Sequence, residues 1–432
     1  VPARRALTLV KLTGMLRPAG VRAVVSACLL APLFGCAQAH ATIYFRNVET
    51  AQTGSGASSI AVNVPAGVVA GDVMIAAIDA EGTGSFTVPS GWSSTGLFSG
   101  ATFTGFAGVY FHVAGSSEPT SYSWGLGTSR KAVGNIVSYV GVENSSPIEV
   151  TSTIAGNSSG TSDSAASITT TVNNTVVILD FGADDSLGSF TITPPGSTTK
   201  RASIFTSGTG SVLGGQAQDF TQATAGATGT KTFTTSASIP WGAVTIALKP
   251  GPGALGFDVA PSTPALPTVA LNGQAQTTHA TMSNFAIDDT TSGTGWSVTV
   301  AGNTSAGKSP VFKQYCSNGS EPCGSTPANS YVSSGQELAA GSLQLNTTGA
   351  SWSTTGGSGS APAFQCNSTT CPIDASSATK IVSTASGAGL GPWKTSGFGA
   401  TSLALSTPTT LRVLPEHEIY RVDLLWTLGS GP

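Results

Sequence analysis

The chain has 432 residues, more than one β-sandwich needs, which points to two or three domains. Charged residues make up only 9%, against about 25% in an ordinary globular protein, and 54 residues are glycine. That composition fits an exported all-β protein rich in turns, and it excludes a disordered chain, which needs high charge and low hydrophobicity. The formal net charge of −3 and the lack of any Lys/Arg run exclude a nucleic-acid surface.

The front of the chain reads as a leader, residues 1–41. Arg4, Arg5, Lys11, Arg17 and Arg22 precede an apolar run from Ala23 to Phe34 and then the small-x-small step Ala37-Gln38-Ala39. That order is the pattern of a secretory signal. The run is shorter than the roughly 20 apolar residues of a membrane span. Val1 suits an alternative start codon, with Met15 as a second possible start. A second route of export is lipidation, because Leu33-Phe34-Gly35-Cys36 resembles a lipobox ending on Cys36. The leader holds five of the 18 basic residues and none of the 21 acidic ones, so the exported chain carries −8. No later segment has transmembrane length. Retention at a cell surface would then be non-covalent, unless Cys36 is lipidated.

Residues 42–250 are expected to form one β domain. Ser59 to Val64 alternates, Pro65-Ala66-Gly67 turns the chain, and Asp72 to Ile78 is a buried apolar run. Trp92 follows Pro89-Ser90-Gly91, and Val109–Val113, Ser121–Trp124 and Asn135–Val140 continue as strands. The second half echoes the first. Gly71–Ala76 matches Asn174–Leu179, Ser85–Pro89 matches Ser189–Pro194, and Gly134–Val140 matches Gly242–Leu248. This spacing is too long for a solenoid repeat and suits a duplicated four-strand unit closed as a jelly roll or sandwich. The opening Pro65–Val73, Pro89-Ser90-Gly91-Trp92, Ala107–Val113, Glu118-Pro119, Tyr139–Val142 with Pro147-Ile148, and Trp241–Pro250 together resemble a domain of exported bacterial and phage-tail proteins. That resemblance implies a β-sandwich and no settled activity.

Lys249-Pro250-Gly251-Pro252-Gly253 reads as a short linker, two prolines restricting it and the glycines letting it turn. The second domain, residues 251–432, is expected to be an Ig-like β-sandwich. Its strand candidates are Phe257–Val259, Thr268–Leu271, Trp296–Val300 and the last stretch of the chain. Ser342–Ser360 is Ser/Thr/Gly-rich loop with Trp352 as its anchor. In the final stretch Tyr420, Val422, Leu424, Trp426 and Leu428 alternate with Arg421, Asp423 and Thr427, the signature of one half-buried strand.

The chemistry-bearing residues are few. Cys316, Cys323, Cys366 and Cys371 in an exported chain favour two disulfides; the tidiest pairing is 316–323 with 366–371, and zinc is the alternative. Gly156-Asn157-Ser158-Ser159-Gly160 spells Gly-x-Ser-x-Gly, but in a Ser/Gly loop with no helix after it the match reads as chance. Beyond the leader the histidines are His112, His279 and His417, none beside a credible nucleophile. Asp184-Asp185 and Asp288-Asp289 lack the regular ligand spacing of a calcium loop. No cofactor, metal or enzymatic activity is expected.

Trp296, Val298 and Val300 share a strand face, as do Trp426 and Leu428. With Asn272-Gly273, Asp288, the approach Gly293-Thr294-Gly295 and the terminal Tyr420–Pro432 block, residues 257–432 resemble the WxL cell-surface domain. The sequence departs from that pattern at Val298, where the motif has Leu, and in the cysteine loops. The resemblance implies non-covalent attachment to the cell wall through peptidoglycan. The residues themselves favour core packing for both tryptophans, since stacking on a glycan needs exposed rings. The resulting expectation is a secreted cell-surface protein, wall-attached through its second domain. Its first domain would be displayed for adhesion or for a glycan or surface-protein ligand. The alternatives are a structural subunit of an extracellular assembly and, less favoured, a glycan-active enzyme.

Overall fold

The computed structural model describes residues 41–432 except 55, 101–102, 153–154, 186–187, 208–209 and 292. Residues 1–40 of the signal segment, Cys36 among them, lie outside the described residues. Among those described there is no helix.

The first domain contains β1 (Tyr44–Gln52), β2 (Ala57–Asn63), β3 (Val73–Glu81), β4 (Ser93–Gly100), β5 (Phe103–Val113), β6 (Ser121–Arg130) and β7 (Ala132–Val140). It continues with β8 (Ile148–Thr151), β9 (Ala155–Ala165), β10 (Thr175–Asp185), β11 (Ile192–Thr193), β12 (Thr199–Phe205), β13 (Val212–Gln222) and β14 (Lys231–Leu248). One sheet runs β1-β7-β3-β5-β4 and the other carries β14-β10-β13-β12, with β8 and β9 paired to β14. In each half a long buried strand (β3, β10) lies between the closing strand (β7, β14) and a second long strand (β5, β13). The opening strand (β1, β8) flanks the closing strand, and β4 or β12 forms the far edge.

Why β3 is apolar on both faces follows from its neighbours. Val73, Ile75 and Ala77 face the other sheet and meet Val176, Ile178, Val244 and Ile246. Met74, Ala76, Ile78 and Ala80 face away and are covered by Ile60 and Val62 of β2 and Trp124 and Leu126 of β6. β10 repeats the arrangement: Val177, Leu179 and Phe181 pack under Phe233, Ile239 and Trp241. The first domain is therefore four layers deep, the two large sheets back to back and each capped on its outer face. Buried runs of this kind replace alternation when both faces are covered.

The second domain is built from shorter pieces: β15 (Leu255–Val259), β16 (Gln276–Ala280), β17 (Ala286–Asp289), β18 (Trp296–Gly302), β19 (Lys313–Cys316), β20 (Ser330–Tyr331), β21 (Leu343–Leu345) and β22 (Ser351–Ser353). After them come β23 (Ala363–Phe364), β24 (Cys371–Pro372), β25 (Thr379–Ser383), β26 (Gly391–Ser396), β27 (Leu403–Thr407), β28 (Glu418–Arg421) and β29 (Leu424–Ser430). They form the sheets β15-β17-β26-β22, β16-β27-β21-β24, β23-β25-β18-β29 and β20-β19-β28 around one core. Thr268–Leu271, expected as a strand, is not one. It follows Pro264 and Pro267, which remove backbone donors, and Leu271 is exposed. The Ser342–Ser360 stretch holds two three-residue strands, and Trp352 fixes it by stacking on Phe364 at 5.3 Å and meeting Phe285 edge-on at 5.4 Å.

The linker is pinned. Gly251 N donates to Gly141 O (2.9 Å), Lys249 N to Pro147 O (2.8 Å) and Glu143 N to Lys249 O (2.9 Å). Ala41, the last residue assigned to the leader, belongs to the fold: it is fully buried and its N donates to Gly251 O (2.7 Å). Thr42 N then donates to Thr290 O (3.1 Å), and the ring of Tyr44 lies against Gly391, where any side chain would collide with it. β1 thus belongs to the first domain's sheet and also rests on the second domain.

Candidate functional site

The two tryptophan strands are neighbours. β18 and β29 pair antiparallel, with Val298 opposite Leu428 and Val300 opposite Trp426. Residues far apart in the chain therefore form one continuous patch of sheet, but the patch faces inward. Trp296 and Val298 are fully buried, Trp426 is 5% exposed, and Leu428 and Tyr420 are half-buried. The Trp296 indole Nε1 donates to Gly389 O (3.0 Å), so its polar end is satisfied inside the core. The Tyr420 hydroxyl reaches the Arg412 carbonyl at 3.4 Å.

The final stretch is not one strand. It breaks at Val422-Asp423: β28 pairs with β19, and β29 starts afresh in another sheet. Asp423, expected on the solvent face, is buried at the break. Its carboxylate accepts from the Tyr331 hydroxyl (2.6 Å) and Arg421 Nη2 (3.1 Å), and Lys308 Nζ lies 3.6 Å away. Its backbone N donates to Ser309 O and its carbonyl accepts from Asn303 N. A carboxylate so fully bonded turns the chain from one sheet to the next, and alternation alone does not reveal that. Burial and the Asp423 charge also raise the Tyr331 hydroxyl pKa above its ordinary value.

Cys316 is bonded to Cys323 and Cys366 to Cys371, with Cα–Cα separations of 5.7 and 5.5 Å. Both clip loops of the second domain. Gly156–Gly160 lies on strand β9 opposite β14, not on a strand-to-helix elbow. His279 and His417 are exposed. Asp289 bonds Thr291 (Oδ1 to N, 2.9 Å), and no group of three or more acidic, His or Cys side chains suited to a metal occurs among the described residues.

His112 sits in a closed polar cluster at the edge of the first domain. Its Nδ1 donates to Gly91 O (2.8 Å), and its Nε2 lies 3.2 Å from Glu118 Oε1. Tyr122 donates to the other Glu118 oxygen, and Gly115 N to Oε1 (2.6 Å). Burial opposes the Glu118 charge, yet these bonds outweigh it and hold the carboxyl below its usual range. Trp92 covers the imidazole at 5.4 Å. These bonds fasten the Gly91 and Gly115 turns to β5.

Two buried charged arrangements have no signature in local sequence. Asp79 on β3 and Asp180 on β10 are fully enclosed between the large sheets. Burial raises both carboxyls, Asp180 to about 7, and the neighbouring Asp180 raises Asp79 further. Glycines at 182 and 215 leave room for Asp79: a Cβ at Gly182 would lie 2.4 Å from its Oδ1. Between the domains, Arg46 of β1 is 5% exposed and meets three carboxylates. Its Nε lies 2.6 Å from Asp72 Oδ2, Nη1 donates to Asp258 Oδ2 at 2.7 Å, and Nη2 donates to Asp288 and to Asp72 Oδ1. Burial raises the carboxyls of Asp72, to about 6, and of Asp288, and Arg46 only partly offsets it. The carboxylate of Asp288, which with Asp289 lacks calcium-loop spacing, faces the Arg46 guanidinium. Arg46 and Asp288 are 242 residues apart, so no local spacing announces the contact.

Comparison with protein-family models, with curated proteins and with solved structures found no match for this chain.

Proposed function

We propose that this is an exported cell-surface protein without enzymatic activity. Its second domain holds it non-covalently on the cell wall, and its first domain is displayed for adhesion or ligand binding. The observation that carries the reading is the pairing of β18 with β29. Side-by-side strands support treating Trp296–Val300 and Trp426–Leu428 as two halves of one WxL-type motif. The wall-contacting residues would then lie on surfaces that these buried strands position. The common strand order of the two large sheets supports a duplicated origin for the displayed domain.

The test is co-sedimentation of residues 41–432 with purified cell walls, beside an unrelated β-sandwich of similar charge. Retention well above that control, lost when the glycan strands are first digested, is the expected result. Retention equal to the control overturns the reading.

A second reading, a subunit of an extracellular assembly, is favoured by one observation. β4 and β12 each pair on one side only among the described residues, leaving open sheet edges on which another strand could pair. A strictly monomeric mass across concentration overturns it.

A further inference from the structure

One guanidinium facing three carboxylates leaves an excess of negative charge in a nearly dry contact. Arg46 and Asp72 belong to the first domain and balance each other; Asp258 and Asp288 belong to the second and are balanced by nothing else in the cluster. The side chains are closed in, at 6%, 1%, 11% and 12% exposure for Arg46, Asp72, Asp258 and Asp288, so water cannot screen the repulsion. Asp258 and Asp288 both lie against the same guanidinium, on Nη1 and Nη2. Three carboxylates enclosed around one cation relieve their excess negative charge by binding a proton.

We infer that docking of the two domains takes up a proton at the Arg46–Asp72–Asp258–Asp288 cluster, so that the domains clamp firmly in mild acid and loosen as the medium turns neutral to alkaline. When the domains part, the Asp72 and Asp288 carboxyls return to water and to their ordinary acidity. The docked state therefore binds protons more tightly than the parted one, as the raised Asp72 and Asp288 carboxyls indicate. Its advantage is complete below the ordinary carboxylate range near pH 4 and declines as pH rises through the docked values, by up to about tenfold per pH unit for each proton. Two further titratable side chains lie at the contact. Asp289 is committed to Thr291, and Tyr44 is raised by burial away from the acid range. The backbone bonds Thr42 N to Thr290 O and Ala41 N to Gly251 O are independent of pH and set the level of docking on which the proton acts.

The inference does not depend on wall binding. It is tested on residues 41–432 by hydrogen exchange, corrected for intrinsic rates, at about pH 5 and about pH 8. Peptides at the contact (44–52 and 255–259) are compared with core peptides remote from it (175–185 and 296–302). In the wild type, protection of the contact peptides relative to the core peptides should fall at least about tenfold from the lower to the higher pH. In Asp288→Asn, which keeps the shape and removes one charge, it should stay near the acid value at both. Asp258→Asn serves the same purpose if the first variant fails to fold. A pH-independent ratio in the wild type, or a full decline in a folded variant, overturns the inference.

Discussion

The two domains reach a packed core by different means. In the first, β3, β7 and β10 are buried along nearly their whole length and on both faces, because a second sheet lies beneath them and a capping layer above. In the second, many strands are only two to five residues long, spread over four sheets around one core. There, two disulfides, the Asp423 network and single large rings such as Trp296 and Trp352 hold the loops between short strands. Long strands buried on both faces draw stability from many similar contacts; short strands concentrate it in a few residues. Single substitutions should therefore cost more, relative to the whole, in the second domain.

The strongest way to break that contrast is Trp296→Ala. It empties a fully enclosed site and removes the donor to Gly389 O, and should cost about 3–5 kcal/mol. Chemical denaturation should show the second domain's transition lost or moved far down while the first stays in place. Ile178→Ala in the first domain, at 1% exposure, should cost about 2–4 kcal/mol and move only that domain's transition. Reducing both disulfides should lower the second domain by roughly 2–3 kcal/mol per bridge on the chain-entropy view, read by denaturation with and without reductant. The first domain holds no cysteine among the described residues and should not respond.

Asp180→Asn should have the mildest effect, visible mainly in its pH dependence. Burial raises this carboxyl to about 7, so the native domain binds its proton more tightly than the unfolded chain does. Stability from that source is complete below about pH 4 and is lost as pH rises through about 7. The variant should match the wild type in acid and exceed it in alkali, with a flatter profile of the first domain's midpoint against pH.

Part of this was legible in the residues. The Asp72–Ile78 run announced a strand covered on both sides, because no polar residue after Asp72 interrupts it. The short cysteine spacings matched the pairing found, since loops of that size close on themselves. The alternation at Tyr420–Leu428 was legible as strand but not as two strands. Asp423 reads as one more solvent-facing polar residue until Tyr331 and Ser309 are brought beside it. The Arg46 cluster could not be read at all. Its four members come from four distant stretches, and an isolated Arg or Asp in a strand pattern looks like ordinary surface. Thr268–Leu271 failed for the opposite reason: its composition suits a strand, but no strand pairs with it among the described residues.

The central claim is that β29 is a structural strand whose tryptophan serves the core, whatever the second domain binds. Hydrogen exchange of the peptide 424–430, measured on residues 41–432 free and sedimented with cell walls, tests it most directly. The account predicts that the amides of this edge strand that donate to β18 are among the slowest in the second domain and equally slow in both states. Rapid exchange in the free protein, with protection gained only on the wall, would contradict it.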